Sequence, residues 1–290
     1  AIKGDEFVCG SIGFCVVLIT TFVFFPVGRI LINALQDDEG NYVFSLFLEK
    51  IVSRSIWGLD CFSTDLSCGV AWNSLLMGVL VGALTTALGL AFALLVTRTK
   101  MHAKGFVRTA SLLPIITPPF VIGLALILLF GRAGVVNIFL EWAFGIPPSR
   151  WLYGLTGILI AQILAYTPIA FLVLIGVVEA VSPSMEEASQ TLRASRWQTF
   201  WTVSFPLMRP GLANAFLLGF IESLADFGNP LVLGGNFEVL STQIFFSIVG
   251  AQGDPGMAAV LAIVLLIFTL TAFYAQRRWL GNKSYSTITG

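Results

Sequence analysis

Charge is what this sequence has little of. Asp, Glu, Lys and Arg make up 11% of its 290 residues, less than half the roughly 25% of an ordinary soluble domain. Hydrophobic residues make up 57% and the mean hydropathy is +0.89, so much of the apolar surface has to face lipid rather than water. The few charges balance at 16 Lys+Arg and 16 Asp+Glu. That leaves no basic excess to gather phosphates and argues against nucleic acid as a partner. There is a single histidine, His102, and the four cysteines form no C-x-x-C. A His/Cys metal site or disulfide scaffold is therefore not expected, and we read His102 as a surface residue. No G-x-x-x-x-G-K-[ST] loop is present, so the chain is expected to hold neither nucleotide nor cofactor of its own.

Long uncharged runs take the place of charge. Crossing a hydrocarbon core of roughly 30 Å takes about 20 apolar residues in a helix. Runs of that kind place spans at 7–28, 70–97, 109–131, 155–178 and 256–276, and a sixth at 211–233 carries Glu222 and Asp226 within it. The expected fold class is all-α: a polytopic inner-membrane protein with about six transmembrane helices. The first run is longer than the apolar core of a signal peptide and is read as a retained span. With both termini cytoplasmic, eleven Lys/Arg fall inside and five outside, and Arg98, Lys100, Lys104 and Arg108 crowd one short inner loop. Cys61 and Cys68 then lie at the outer end of the second span, where a disulfide is permitted. Cys9 and Cys15, six residues apart, do not share a helix face and are expected to be packing residues.

The inner loop 182–210 is the informative segment. Ser184 and Glu187 have capping-box spacing, which predicts a helix starting at about Met185. Ser195 can cap a second short helix that Pro206 and Pro210 would stop. The expected product is a helix, a turn and a helix lying on the membrane face, with Trp197, Phe200 and Trp201 as an interfacial set.

In Glu187, Ala188 and Ser189, then Leu192, Arg193 and Ala194, then Val203 to Pro206, this loop resembles the E-A-A signature of binding-protein-dependent ABC importer permeases. The segments 222–235 and 275–281 look like the ferric iron branch, and the resemblance runs from about Trp72 to the C-terminus. It implies a cytoplasmic coupling helix, with Glu186, Glu187, Ala188, Ser189, Leu192, Arg193, Ala194 and Pro206 engaging a cytoplasmic ABC ATPase dimer that binds ATP and Mg. It further implies a periplasmic solute-binding protein, a lipid environment and a second six-helix half, with this chain as the first half of a longer fused permease. Arg193 departs from the family pattern, which has glycine there. A positive φ costs Arg roughly 1 kcal/mol or more, so either the turn tightens at Ala194 and Ser195 or the helix runs on by one residue.

Glu222 and Asp226 stack one turn apart on a helix, and carboxylates at membrane depth normally face a bundle interior or an aqueous path. They are read either as part of a substrate pathway suited to a hard cation or as a polar pair bonded to neighbours such as Gln162 and Tyr166. No firm metal site follows. Pro114, Pro118 and Pro119 are expected to break the third span. Other cargoes (polyamine, phosphonate, sulfate, thiamine) stay open. So does a gradient-driven transporter, although no inverted repeat is visible. A membrane enzyme would have only the single-helix carboxylate pair as its site.

Overall fold

The computed structural model describes residues 6–36, 42–59, 61, 68–100, 102–250 and 253–281, and the regular elements among them are helices. The chain begins with α1 (Glu6–Ile19), a π-turn at Thr20–Phe24 and α2 (Phe25–Asn33), which together form one long apolar helix. Short α3 (Phe44–Ile51) and α4 (Arg54–Trp57) lead to α5 (Val70–Arg98). Next come α6 (Lys104–Leu112), a 3-10 turn at Leu113–Ile116, α7 (Pro119–Phe130) and α8 (Val135–Phe144). Then α9 (Leu155–Ala180) and α10 (Pro183–Thr191) precede α11 (Arg196–Thr199), a second π-turn at Phe200–Ser204 and α12 (Phe205–Ala225). Last are α13 (Gly228–Leu233), α14 (Leu240–Val249) and α15 (Pro255–Leu280).

Five helical segments among the described residues are long and apolar enough to cross a membrane: Phe7–Asn33, Val70–Arg98, Pro119–Phe144, Leu155–Ala180 and Pro255–Leu280. The run expected to span 211–233 starts earlier and breaks. α12 ends at Ala225, and Asp226 takes extended backbone (φ −68°, ψ 114°) before α13 resumes. The proline-rich third run breaks as its prolines require: α6 stops at Leu112, and Thr117 is extended before α7 restarts on Pro119. Each π-turn ends two residues before a proline, Pro26 in one case and Pro206 in the other. A ring nitrogen has no N–H for the carbonyl one turn back, and a widened turn absorbs that missing bond without ending the helix.

The core is the triad α5, α9 and α12, packed along their lengths. Close approach depends on residues without side-chain bulk, as in membrane helix pairs generally. A Cβ on Gly219 would sit 2.6 Å from the Thr85 hydroxyl, and one on Gly89 would sit 2.9 Å from the Ala170 backbone. Phe171, Leu174, Val178 and Met208 fill the half of the triad toward residue 182, and Val81, Leu152, Ile158 and Ala161 fill the other half. The first long helix buries nothing of its apolar window in the chain. Cys9 and Cys15 are exposed on it, so the expected packing role is not what the fold gives them.

The end opposite residue 182 is tied by side chains. Cys61 and Cys68 are joined by a disulfide with Cα atoms 4.9 Å apart. Lys50 of α3 pairs with Asp254 at 2.8 Å, and the same carboxylate caps α15 by accepting from the Met257 amide at 2.9 Å. Burial opposes the charge on Asp254, but the Lys50 ammonium and the Met257 and Gly256 amides outweigh it and hold the carboxyl below its ordinary range.

Candidate functional site

Two places concentrate polar chemistry, one at each end of the α5/α9/α12 triad. The first is the loop after α9. α10 begins at Pro183 with Ser182 as its cap residue, two positions before the start expected from Ser184 and Glu187. The capping box does not form: the Ser184 hydroxyl lies 2.7 Å from that of Ser182, and Pro183 at the first helical position sets the start. Ser195 does cap α11, accepting from the Gln198 amide at 3.2 Å while Gln198 accepts from the Ser195 amide at 2.8 Å.

Pro206 and Pro210 do not stop what Ser195 begins. From Arg196 the helix runs through the π-turn into α12 and on to Ala225. The loop is therefore a single short helix, α10, followed by the foot of a long one. Trp197, Phe200, Trp201 and Phe205 stack along that foot, Trp197 and Trp201 at 5.4 Å and Trp201 and Phe205 at 4.7 Å between ring centres.

Between the two helices the chain turns at Arg193, which has φ +65°. Neither expected alternative holds, because Arg193 itself takes the left-handed conformation. Its amide donates to the Gln190 carbonyl at 2.9 Å, and the Ala194 amide donates to the Ser189 carbonyl at 3.2 Å. These two bonds make a Schellman ending. Ser189 and buried Thr199 join the two helices through their hydroxyls at 3.1 Å.

The two adjacent glutamates point to different surroundings. Glu187 is exposed. Glu186 is half-buried, accepts from the Ser204 hydroxyl at 2.7 Å and lies 3.4 Å from Arg98 Nη2. Met185, Glu187, Ala188, Leu192 and Trp197 form an open face, with Leu192 84% exposed.

The second place is the break between α12 and α13. Asp226 is only 7% exposed. Its carboxylate accepts from Gln162 Nε2 at 2.9 Å, Asn229 Nδ2 at 2.8 Å and the Asn229 amide at 3.2 Å. Tyr166, one turn after Gln162 on α9, is also buried. Ser223 donates to Gln162 Oε1 at 2.7 Å, and Ser241 of α14 donates to the Asp226 carbonyl at 2.7 Å. The result is a buried network joining α9, α12, α13 and α14, in which the Asn229 side-chain oxygen is left without a partner among the described residues. Glu222, one turn earlier and half-buried, has no hydrogen-bond partner for its carboxylate among the described residues. No group of three or more His, Cys, Asp or Glu that could hold a metal occurs among the described residues.

Residues 85–279 match the family described as the inner membrane component of binding-protein-dependent transport systems, a stretch that contains both places. The chain belongs to that family. It is 47% identical, over 99% of its length, to the ferric transport system permease of Actinobacillus pleuropneumoniae, and 30% identical over 70% of its length to the molybdenum transport system permease of Azotobacter vinelandii. It spans 40% of the ferric relative, whereas 70% of it spans 93% of the molybdenum one, so it is less than half as long as the former and longer than the latter. The fold matches a chain of a bacterial ABC transporter involved in alginate import, with a TM-score of 0.76 at 20% identity covering 96% and 97% of the two chains. It also matches a chain of an inward-facing methionine ABC transporter, with a TM-score of 0.55 at 17% identity covering 73% and 93%.

Within this family of multi-pass inner-membrane components, three further residues complete the two places: Asn229, Ser204 and Arg98. Asn229 was legible, since it follows Asp226 by three residues, the spacing of a helix N-terminal cap. Ser204 and Arg98 were not. Arg98 Nη2 donates to the carbonyls of Val181 at 2.7 Å and Val178 at 3.2 Å, contacts that no local pattern announces.

Proposed function

We propose that this chain is one transmembrane half of a permease in an ATP-driven ABC importer of ferric iron. The observation that carries this reading is the 47% identity with a ferric transport system permease over 99% of the chain, well above the 30% shared with a molybdenum permease. A second six-helix half completes the pathway, and the ferric relative's greater length favours a fused one, with this chain as the first half. Energy comes from a cytoplasmic ATPase dimer that holds ATP and Mg. Iron comes from a periplasmic binding protein at the disulfide end, so both chain ends lie in the cytoplasm.

The geometry suits that division of labour. α10 offers the ATPase an apolar and acidic open face of Met185, Glu187, Ala188 and Leu192, while Glu186, Ser189, Arg193, Ala194 and Pro206 shape and hold the helix behind it. In the candidate cargo path Glu222 is the carboxylate left for a passing hard cation. Asp226 and Gln162 are spent on one another and, with buried Tyr166, hold the wall.

The test is uptake of radiolabelled ferric iron into vesicles holding the full-length permease, its ATPase and its binding protein. Uptake that requires ATP, and that drops in Glu222→Ala while the complex stays intact, supports the reading. Uptake that ignores ATP and follows a proton gradient overturns it in favour of a secondary transporter.

A further inference from the structure

Arg98 is the last residue of α5, and its guanidinium reaches two other elements, α9 and α10. Nη2 donates to the carbonyls of Val178 and Val181, where α9 ends, satisfying acceptors that a helix C-terminus leaves open. The same nitrogen lies 3.4 Å from Glu186 Oε1 on α10. That oxygen accepts from Ser204 at 2.7 Å, in the π-turn that leads into α12. One guanidinium and one carboxylate thus join the coupling helix to all three helices of the core triad. Apart from the backbone, the other hydrogen-bonded tie from α10 to the helix that follows is, among the described residues, the Ser189–Thr199 hydroxyl pair, which reaches α11 alone.

The joint is not saturated. Arg98 Nε is buried and has no hydrogen-bond partner among the described residues, and 3.4 Å is long for a charge-assisted bond, which closes to roughly 2.7–2.9 Å. The guanidinium therefore keeps a free donor beside a carboxylate that a hydroxyl is holding back. A shift of α10 toward α5 would let Glu186 add Arg98 as a close partner, and a shift the other way would leave it on Ser204. Two discrete arrangements of one carboxylate are the kind of element through which a docked partner can move a packed core.

We propose that Arg98 and Glu186 form a clasp that passes the movement of α10 to α5, α9 and α12, and that its role is to set how much cargo crosses per ATP. Both are positioning residues: they act through the helices they join. The inference rests on the ABC importer reading and adds to it a part that the docking face does not supply.

The test measures ferric iron transported and ATP hydrolysed in the same vesicles, with the full-length permease, its ATPase and its iron-loaded binding protein. Glu186→Gln keeps the side-chain shape and the Ser204 partner but loses the charge, and it leaves the bonds of Arg98 to α9 in place. Iron moved per ATP should fall about tenfold, the scale of an ordinary coupling free energy. Arg98→Lys should lower the ratio similarly, and Glu186→Asp should recover part of it. Arg98→Ala also strips the end of α9 and is compared only as a folding control by thermal unfolding. A ratio that stays at the wild-type value in Glu186→Gln and Arg98→Lys, whatever the two rates do, overturns the clasp. Failure of the wild-type vesicles to show ATP-dependent uptake would instead overturn the importer reading.

Discussion

Two carboxylates of this chain, Glu187 and Asp226, make opposite use of the same chemistry. At the residue-182 end, Glu187 projects from a short helix into open space, surrounded by exposed Met185, Leu192 and Trp197. At the other end of the triad, Asp226 is sealed between Gln162 and Asn229. An exposed charge on a surface turn contributes little to stability, whereas an unmatched donor or acceptor in a buried network costs its full desolvation. The first end is free to be judged by what it binds. The second is constrained by what it holds together. Glu222 belongs with the first class although it sits beside the second, since its carboxylate is unengaged and half-buried.

Substitutions can break this contrast. The largest effect is expected at Glu187: Glu187→Arg should release the ATPase from the purified complex and reduce ATP-driven uptake to background, with the thermal midpoint of the permease unchanged. Asp226→Ala should do the reverse, lowering the unfolding free energy by about 3 kcal/mol because the Gln162 and Asn229 donors lose their common acceptor in a buried site. Thermal unfolding in detergent reads it, with Glu222→Ala beside it shifting stability by less than about 1 kcal/mol. A large loss in Glu222→Ala would erase the distinction between the two carboxylates.

Smaller effects sharpen the same contrast. Arg193 holds a left-handed turn that costs a side chain roughly 1 kcal/mol, so Arg193→Gly should leave docking intact and be neutral or stabilising by up to about that amount. Arg193→Val should destabilise, since branching at Cβ worsens the strain. The smallest effect is at the ion pair of Lys50 and Asp254. With the folded carboxyl held below its ordinary range, the pair adds stability above the ordinary carboxylate range. That contribution is lost as pH falls through the depressed value. The pair is partly exposed, so the contribution is under about 1 kcal/mol. A series of thermal midpoints against pH should flatten in Asp254→Asn.

Much of the architecture could be read from the uncharged runs, because a helix that must face lipid leaves a long apolar stretch in any sequence. The run around Glu222 and Asp226 was harder. Length placed a span there, but the backbone break depends on Asp226 accepting from the Asn229 amide and on Ser241 donating to the Asp226 carbonyl. Gln162 is nameable as a partner because polar groups at membrane depth seek one another. The loop after α9 showed where propensity rules mislead. Prolines read as stops were absorbed, Pro206 just after a π-turn and Pro210 inside α12, and a capping box lost to a proline one residue upstream of it. Arg193 showed the limit of reading a departure from a family pattern as a change of shape, since the backbone kept the glycine-like conformation and the side chain bears its strain. Arg98 and Ser204 become partners of Glu186 only through folding, with sequence separations that no periodicity bridges.

Hydrogen exchange of the full-length permease with and without its ATPase tests the central contrast most directly. The account predicts that the ATPase slows exchange of the amides at 183–194 and leaves those at 226–233, already protected by the buried network, unchanged. Unaltered exchange at 183–194 in a complex that retains its ATPase would contradict it.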